Sequence, residues 1–157
     1  MIRPTIPADT RALHALTEGT GLFPQRELMA LDIVLRDYHA DKDVEGHICI
    51  TYEDAGMPIG FAYFAPTAMT DGAWHLWWIV VKKDIQAKGI GGKLLKHVEE
   101  GARAAGGRLM LVETSGLPNY ELTRKFYLKH NYEQVARYKD FYSDGNDLVM
   151  FRKQLTA

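Results

Sequence analysis

The densest chemical signal in the chain lies between Trp77 and Leu95. An apolar run gives way to Gln86-Ala87-Lys88-Gly89-Ile90-Gly91-Gly92, and that loop leads straight into a stretch with helical spacing. This order places several backbone N–H groups at a helix N-terminus, where the macrodipole favours an anion. Gly89, Gly91 and Gly92 carry no Cβ, so a phosphate can approach the backbone closely. Lys82, Lys83, Lys88, Lys93 and Lys96 cluster around the loop, although the whole chain has a net charge of -1. Local charge is therefore the better guide to the ligand, which is expected to be anionic and phosphorylated.

Two common phosphate loops fail on spacing. A P-loop would need a glycine where Ala87 stands and a hydroxyl where Leu94 stands. A dinucleotide fingerprint fits Gly89 and Gly91 but meets Leu94 at its third glycine. What remains, Gln86-x-x-Gly89-x-Gly91, resembles the Q/R-x-x-G-x-G/A acyl-CoA pyrophosphate loop of the GNAT superfamily of N-acetyltransferases. The context agrees: hydrophobic Val81 precedes the loop at the family's offset, and Phe126-Tyr127 with Asn131-Tyr132 follows downstream. Asn131 replaces the family's usual glycine, and asparagine also visits the left-handed conformation.

The resemblance covers the chain from Ile2 to about Leu155. It implies an α/β, GNAT-like single domain across residues 1–157, with a mixed central sheet flanked by helices and a splayed pair of central parallel strands. It further implies transfer of an acetyl group from acetyl-CoA, as co-substrate, to a primary amine of a small molecule or a peptide. No metal is expected. By resemblance, the cofactor contacts fall on Ile79, Val80 and Val81, on the loop residues Gln86, Ala87, Lys88, Gly89, Ile90, Gly91 and Gly92, and on Asn119, Tyr120, Thr123 and Tyr127.

Acetyl transfer to an amine has one large obstacle. A lysine-like amine has a pKa of about 10.4, so near pH 7 only roughly one molecule in a few thousand is neutral, a handicap of about 4–5 kcal/mol. A general base reduces it. Attack then builds charge on the thioester oxygen, which a fixed backbone N–H stabilises, and the expelled thiolate needs a proton. Tyr127 stands where the family places its acid, with Thr123 four residues earlier and small enough to pass the pantetheine arm. The oxyanion donor falls among Ile79, Val80 and Val81. The base is either His75, which occupies the position of a family glutamate, or Glu113, at the end of the next strand. A stretch between Asp140 and Asp147 carries three aspartates that could draw in a cationic acceptor.

The elements that must position these groups follow from pattern. Ile2–Thr5 reads as a strand and Pro7 opens a helix that Gly19-Thr20-Gly21 ends. Gln25–Tyr38 is helical, with Leu28, Leu31, Leu35 and Tyr38 on one stripe. Gly46–Tyr52 and Ile59–Pro66 are strands around an Asp54–Pro58 turn. Ala73–Val81 is apolar on both faces, as a central buried strand would be. Gly91–Ala105 is a helix with Leu94, Leu95, Val98, Ala102 and Ala105 inward. Arg108–Glu113 is a strand, Tyr120–His130 a helix, and Glu133–Phe141 pairs with Asp147–Lys153 as a hairpin.

Composition bounds the rest. With 157 residues, 46% apolar and 25% charged, the chain suits one ordinary globular domain. The longest apolar run, Leu76 to Val81, is too short to span a bilayer, and the N-terminus lacks a signal-peptide core. Cytoplasmic localisation without a membrane partner is the expectation, and a homodimer is compatible with it. The single cysteine, Cys49, reads as a buried strand residue, and the six histidines show no metal-ligand spacing. A nucleic-acid partner is not expected, because pI near 6.6 and the lack of a basic stripe argue against one. The rival of a different class is a CoA- or acyl-CoA-binding sensor that keeps the loop without turnover.

Overall fold

The computed structural model describes residues 1–156 and, within them, every side chain but that of Ala87. Seven strands form one sheet: β1 (Ile2–Pro4), β2 (Ile48–Asp54), β3 (Met57–Pro66), β4 (Ala73–Val81), β5 (Leu109–Ser115), β6 (Glu133–Ser143) and β7 (Asn146–Gln154). Their spatial order is β1-β2-β3-β4-β5-β7-β6. Four helices accompany them: α1 (Thr10–Gly19), α2 (Gln25–His39), α3 (Ile90–Ala104) and α4 (Glu121–Lys129). β4 and β5 run parallel, in register from Ala73↔Leu109 to Leu76↔Val112. The expected α/β class with a mixed sheet is what the chain adopts. It divides into two compact units, Met1–Ala65 with Trp78–Val98 and Pro66–Trp77 with Glu99–Ala157.

In the first unit β1, β2 and β3 form an antiparallel meander. The β2–β3 hairpin turns through Ala55 and Gly56, both at positive φ (50° and 79°), the backbone that matches the twist of the flanking strands. The periodic leucines of the two helices meet the strands as their spacing demands: Leu13, Leu16, Leu31 and Leu35 pack with Cys49, Phe61, Tyr63 and Val80. Cys49 is a buried strand residue, as expected, and burial pushes its thiol pKa up to about 12, which removes it as a nucleophile at neutral pH. A charged network pins the chain's start. The Arg3 guanidinium donates to both Asp9 carboxylate oxygens at 2.8 and 2.9 Å, and Ile6 N–H donates to the same group at 2.9 Å. Asp9 does more here than complement a helix dipole.

The second unit packs its helices on one face of the sheet. Strand alternation puts Trp74, Leu76, Met110, Val112, Val149 and Phe151 on that face, and all are buried. Tyr127 of α4 lies against Phe151, with ring centroids 5.6 Å apart. The opposite face carries His75, Trp77, Leu111, Glu113, Met150 and Arg152, none of them buried. β4 is therefore not apolar-covered on both faces as the sequence suggests; the Trp77 side is open, and that residue is 52% exposed. Two helix ends also differ from expectation. α3 stops at Ala104, which leaves Ala105 exposed, and Pro118–Tyr120 forms a separate 3-10 turn before α4 begins at Glu121. α4 ends as Asn131 allows: its φ is +69°, Asn131 N–H donates to Leu128 O (3.1 Å) and Tyr132 N–H to Tyr127 O (3.0 Å), a complete Schellman cap. Beyond it, Tyr132 Oη and Lys153 Nζ both donate to buried Glu99, at 2.8 and 2.9 Å.

Burial alone would raise the Asp9 pKa, but the Arg3 guanidinium and the Ile6 N–H outweigh it and hold the carboxyl below its ordinary value. A depressed folded-state pKa stabilises the fold above the unfolded value of about 3.9 and loses that contribution as pH falls through the folded value. Asp9→Asn is expected to cost roughly 1–3 kcal/mol at pH 7. In urea melts the gap between wild type and variant should narrow at pH 3; a gap that stays constant would contradict this role.

Candidate functional site

The loop is built as a strand–turn–helix unit. Past the end of β4, Lys83–Lys88 makes a 3-10 turn, and Gly89 then adopts the left-handed conformation with φ +78°. That residue reverses the chain so that α3 can begin at Ile90. The first intrahelical bond runs from Lys93 N–H to Gly89 O at 3.2 Å. By helix geometry the N–H groups of Ile90, Gly91 and Gly92 then lie at the open helix end. A Cβ built on Gly89 meets nothing within 4 Å, so the space before it is free. The exposed Gln86 bends its side chain back to donate to Val81 O at 3.0 Å, which ties the turn to the strand's end. Among the surrounding cations, Lys82 sits 3.9 Å from Asp84, while Lys88 and Lys93 are exposed. The side chain of Ala87 is outside the described residues. Ile79 is half-buried, and Val80 and Val81 are buried core residues.

In the second unit the two base candidates turn out to be partners. His75 Nε2 lies 3.3 Å from Glu113 Oε1, because the parallel register sets His75 beside Leu111 and Glu113 follows on the same face. The imidazole is stacked on the Trp77 indole, with centroids 4.2 Å apart and planes 8° from parallel. Its other nitrogen, Nδ1, lies 3.4 Å from Thr67 Oγ1. Thr67 and Trp77 were not singled out as functional by the sequence. Trp77 stands two residues from His75 and so shares its face, a signal that was present. Thr67 sits in a turn whose fold no spacing rule announces.

Tyr127 lies elsewhere. It is buried at 3% exposure among Phe126, Tyr132 and Phe151, on the face opposite His75 and Glu113. Burial pushes its phenol pKa well above the ordinary value, which keeps the hydroxyl protonated at neutral pH. Thr123 is half-buried one helical turn earlier in α4; Asn119 is exposed and Tyr120 half-buried in the turn before it. The hairpin aspartates are largely committed to the hairpin itself. Asp147 accepts from Arg137 Nε (2.7 Å) and Asp140 N–H (2.9 Å), and Asp140 accepts from Gly145 N–H (2.7 Å). Only Asp144 of the three lacks such a structural duty in these bonds.

The mixed sheet, its central parallel pair and the glycine turn at the carboxyl end of β4 define the chain as an α/β protein. The chain belongs to the GNAT acetyltransferase family: the sequence model of the acetyltransferase (GNAT) domain matches residues 45–134. Among solved structures, a protein from Desulfovibrio desulfuricans described as an acetyltransferase of the GNAT family has a TM-score of 0.94 at 29% identity, over 99% of each chain. The protein yncA from Salmonella typhimurium, solved with acetyl-CoA, scores 0.81 at 19% identity over 100% of this chain and 94% of its own. The ribosomal-protein-S18-alanine N-acetyltransferase of Escherichia coli scores 0.79 at 15% identity, with coverage of 100% and 94%. At such identities the last two speak for the fold. No curated protein matches the sequence. No helix among the described residues is long and apolar enough to cross a membrane, and no cluster of three potential metal-binding side chains occurs there.

The left-handed Gly89 gives a direct test of the loop's backbone. Gly89→Ala has room for its methyl group but not the conformation, and should lower stability by about 1 kcal/mol. Gly89→Asn should lose less, because asparagine tolerates positive φ. Equal melting temperatures for wild type and Gly89→Ala would contradict the assignment.

Proposed function

We propose that the chain, as one domain across residues 1–157, transfers the acetyl group of acetyl-CoA to a primary amine of a small molecule or peptide. Attack is direct, with no enzyme-bound acetyl intermediate. The observation that carries this reading is the open α3 N-terminus behind left-handed Gly89, in a chain of an acetyltransferase family. Three amides at a dipole's positive end, uncovered by a Cβ at 89, suit the pyrophosphate of a coenzyme A. In this reading Gln86 holds the loop's shape while the backbone of residues 88–92 meets the phosphates. A backbone N–H among Ile79, Val80 and Val81 then faces the thioester oxygen, and Asn119, Tyr120 and Thr123 line the pantetheine path.

His75 receives the amine's proton, and Glu113 stabilises the imidazolium that results. Tyr127 donates to the departing sulfur. Its raised pKa makes it a poorer acid than a free thiol, whose pKa is about 8.5, so it acts by a hydrogen bond that stabilises developing thiolate more than by full proton release. The chain acts in the cytoplasm in this account, on an acceptor that loops outside the sheet select.

A panel of amines and peptides, assayed for thiol release with mass spectrometry of the product, tests the reading. An acetylated amine is the expected product; acetyl-CoA binding without turnover on any member would favour a sensor instead. Gly91→Glu should weaken acetyl-CoA binding at least ten-fold, since it adds bulk and a like charge near the phosphates without the φ strain of position 89. Tyr127→Phe should lower kcat by roughly ten- to a thousand-fold with acetyl-CoA affinity little changed. Full activity in Tyr127→Phe would remove the tyrosine from the mechanism.

A further inference from the structure

His75 has no ring nitrogen left over. A carboxylate can only accept a hydrogen bond, so the contact with ionised Glu113 requires that Nε2 carry its hydrogen. In the neutral ring Nδ1 is then the acceptor, and the Thr67 hydroxyl is the group that faces it, at 3.4 Å. A proton bound for His75 Nδ1 thus arrives through Thr67 Oγ1. Resting on the acetyl-transfer reading above, we propose that Thr67, His75 and Glu113 form a proton relay in which the Thr67 hydroxyl takes the acceptor amine's proton.

The step balances simply. The amine's N–H bond breaks and its proton travels through water to Thr67 Oγ1; the hydroxyl's own proton passes to His75 Nδ1. The products are a neutral amine and an imidazolium whose Nε2–H remains on the Glu113 carboxylate. The same three side chains hold both protonation states, because the hydroxyl rotates from donor to acceptor once Nδ1 is protonated. The imidazolium later returns its proton to water. Distances of 3.3 and 3.4 Å are at the long end for such bonds, as is common where catalytic contacts tighten only around substrate.

The surroundings hold this geometry. Stacking on Trp77 fixes the imidazole plane. The β3–β4 turn fixes Thr67: its N–H donates to Ala73 O at 2.8 Å, and its carbonyl accepts from Thr70 Oγ1 at 2.8 Å. Thr70 Oγ1 accepts in turn from Ala73 N–H at 3.3 Å. Thr67 is half-buried, and the His75 side chain between it and Glu113 is 12% exposed. Charged groups on the ring's sheet face within this unit are Glu113 on β5 and Arg152 on β7, which the register sets beside Leu111. Arg152 is itself 3.6 Å from Glu133 on β6.

Substitution at Thr67 separates relay from scaffold. Thr67→Val preserves shape and removes the hydroxyl; it should lower kcat roughly ten- to a hundred-fold at pH 7 with KM for acetyl-CoA unchanged. The deficit should shrink above pH 9, where amines lose the proton unaided. Thr67→Ser should recover most of the rate. A Thr67→Val enzyme with the wild-type pH–rate profile, or equal loss in Ser and Val variants, would overturn the relay. Nitrogen-15 shifts of the His75 ring give a second readout that needs no substrate. The neutral ring should carry its hydrogen on Nε2, and its Nδ1 signal should move in Thr67→Val. A ring protonated on Nδ1, or one indifferent to Thr67→Val, would refute the relay. Wild-type protein that acetylates no amine would instead refute the enzyme reading, and the ring signals would still decide the hydrogen bonding.

Discussion

Two parallel strands that are neighbours in a sheet cannot be joined by a tight turn; they need a crossover of a dozen residues or more. β4 and β5 are such a pair, and the turn at Lys83–Lys88 with α3 is their crossover. Much of the molecule's chemistry follows from that one requirement. The crossover must leave β4 at its carboxyl end, so the N-terminus of α3 and its open amides are delivered there. Gly89 is the residue at which the 3-10 turn gives way to α3, and its positive φ makes the change possible within one residue. The same parallel register sets Leu111 beside His75, which brings Glu113 within reach of the imidazole. The glycine turn before α3 and the His75–Glu113 contact are thus two consequences of one strand pairing.

Alternation along the strands sorts the remaining roles. Residues two apart share a face, so His75 and Trp77 lie together, while Trp74 and Leu76 point to the helices. On the helix-covered face Tyr127 finds a dry aromatic setting that keeps its hydroxyl protonated. On the open face His75, Glu113 and Thr67 meet solvent in part, as the proposed proton transfer requires. A one-residue slip of β5 would exchange Glu113 for a buried apolar neighbour and abolish the pair. The Glu99 network with Tyr132 and Lys153 and the β7 pairing along the whole of β5 oppose such a slip.

Local pattern disclosed most of this fold. The bounds of β4 were readable because Gly72 and Lys82 bracket an apolar run, and α2 because its leucines recur on one stripe. The Asn131 cap was readable from residue type alone. Other features depended on partners distant in sequence. His75 and Glu113 read as rivals, since nothing along a sequence separation of 38 residues gives the register that joins them. An apolar run does not reveal which of its faces a helix covers, so Trp77 passed for core. Thr67 owes its place to a turn closed by Ala73 and Thr70, whose bonds leave no periodic mark. The hairpin aspartates looked like free charge because Arg137 and two backbone N–H groups that occupy them are invisible to a charge count.

The central claim is that backbone amides at the start of α3 hold the phosphates of acetyl-CoA. Amide NMR during an acetyl-CoA titration tests it most directly. Saturable shifts concentrated at Gly89, Ile90, Gly91 and Gly92, absent when unphosphorylated pantetheine replaces the coenzyme, are the predicted result. Saturable acetyl-CoA binding that leaves those four amides unmoved would contradict the account.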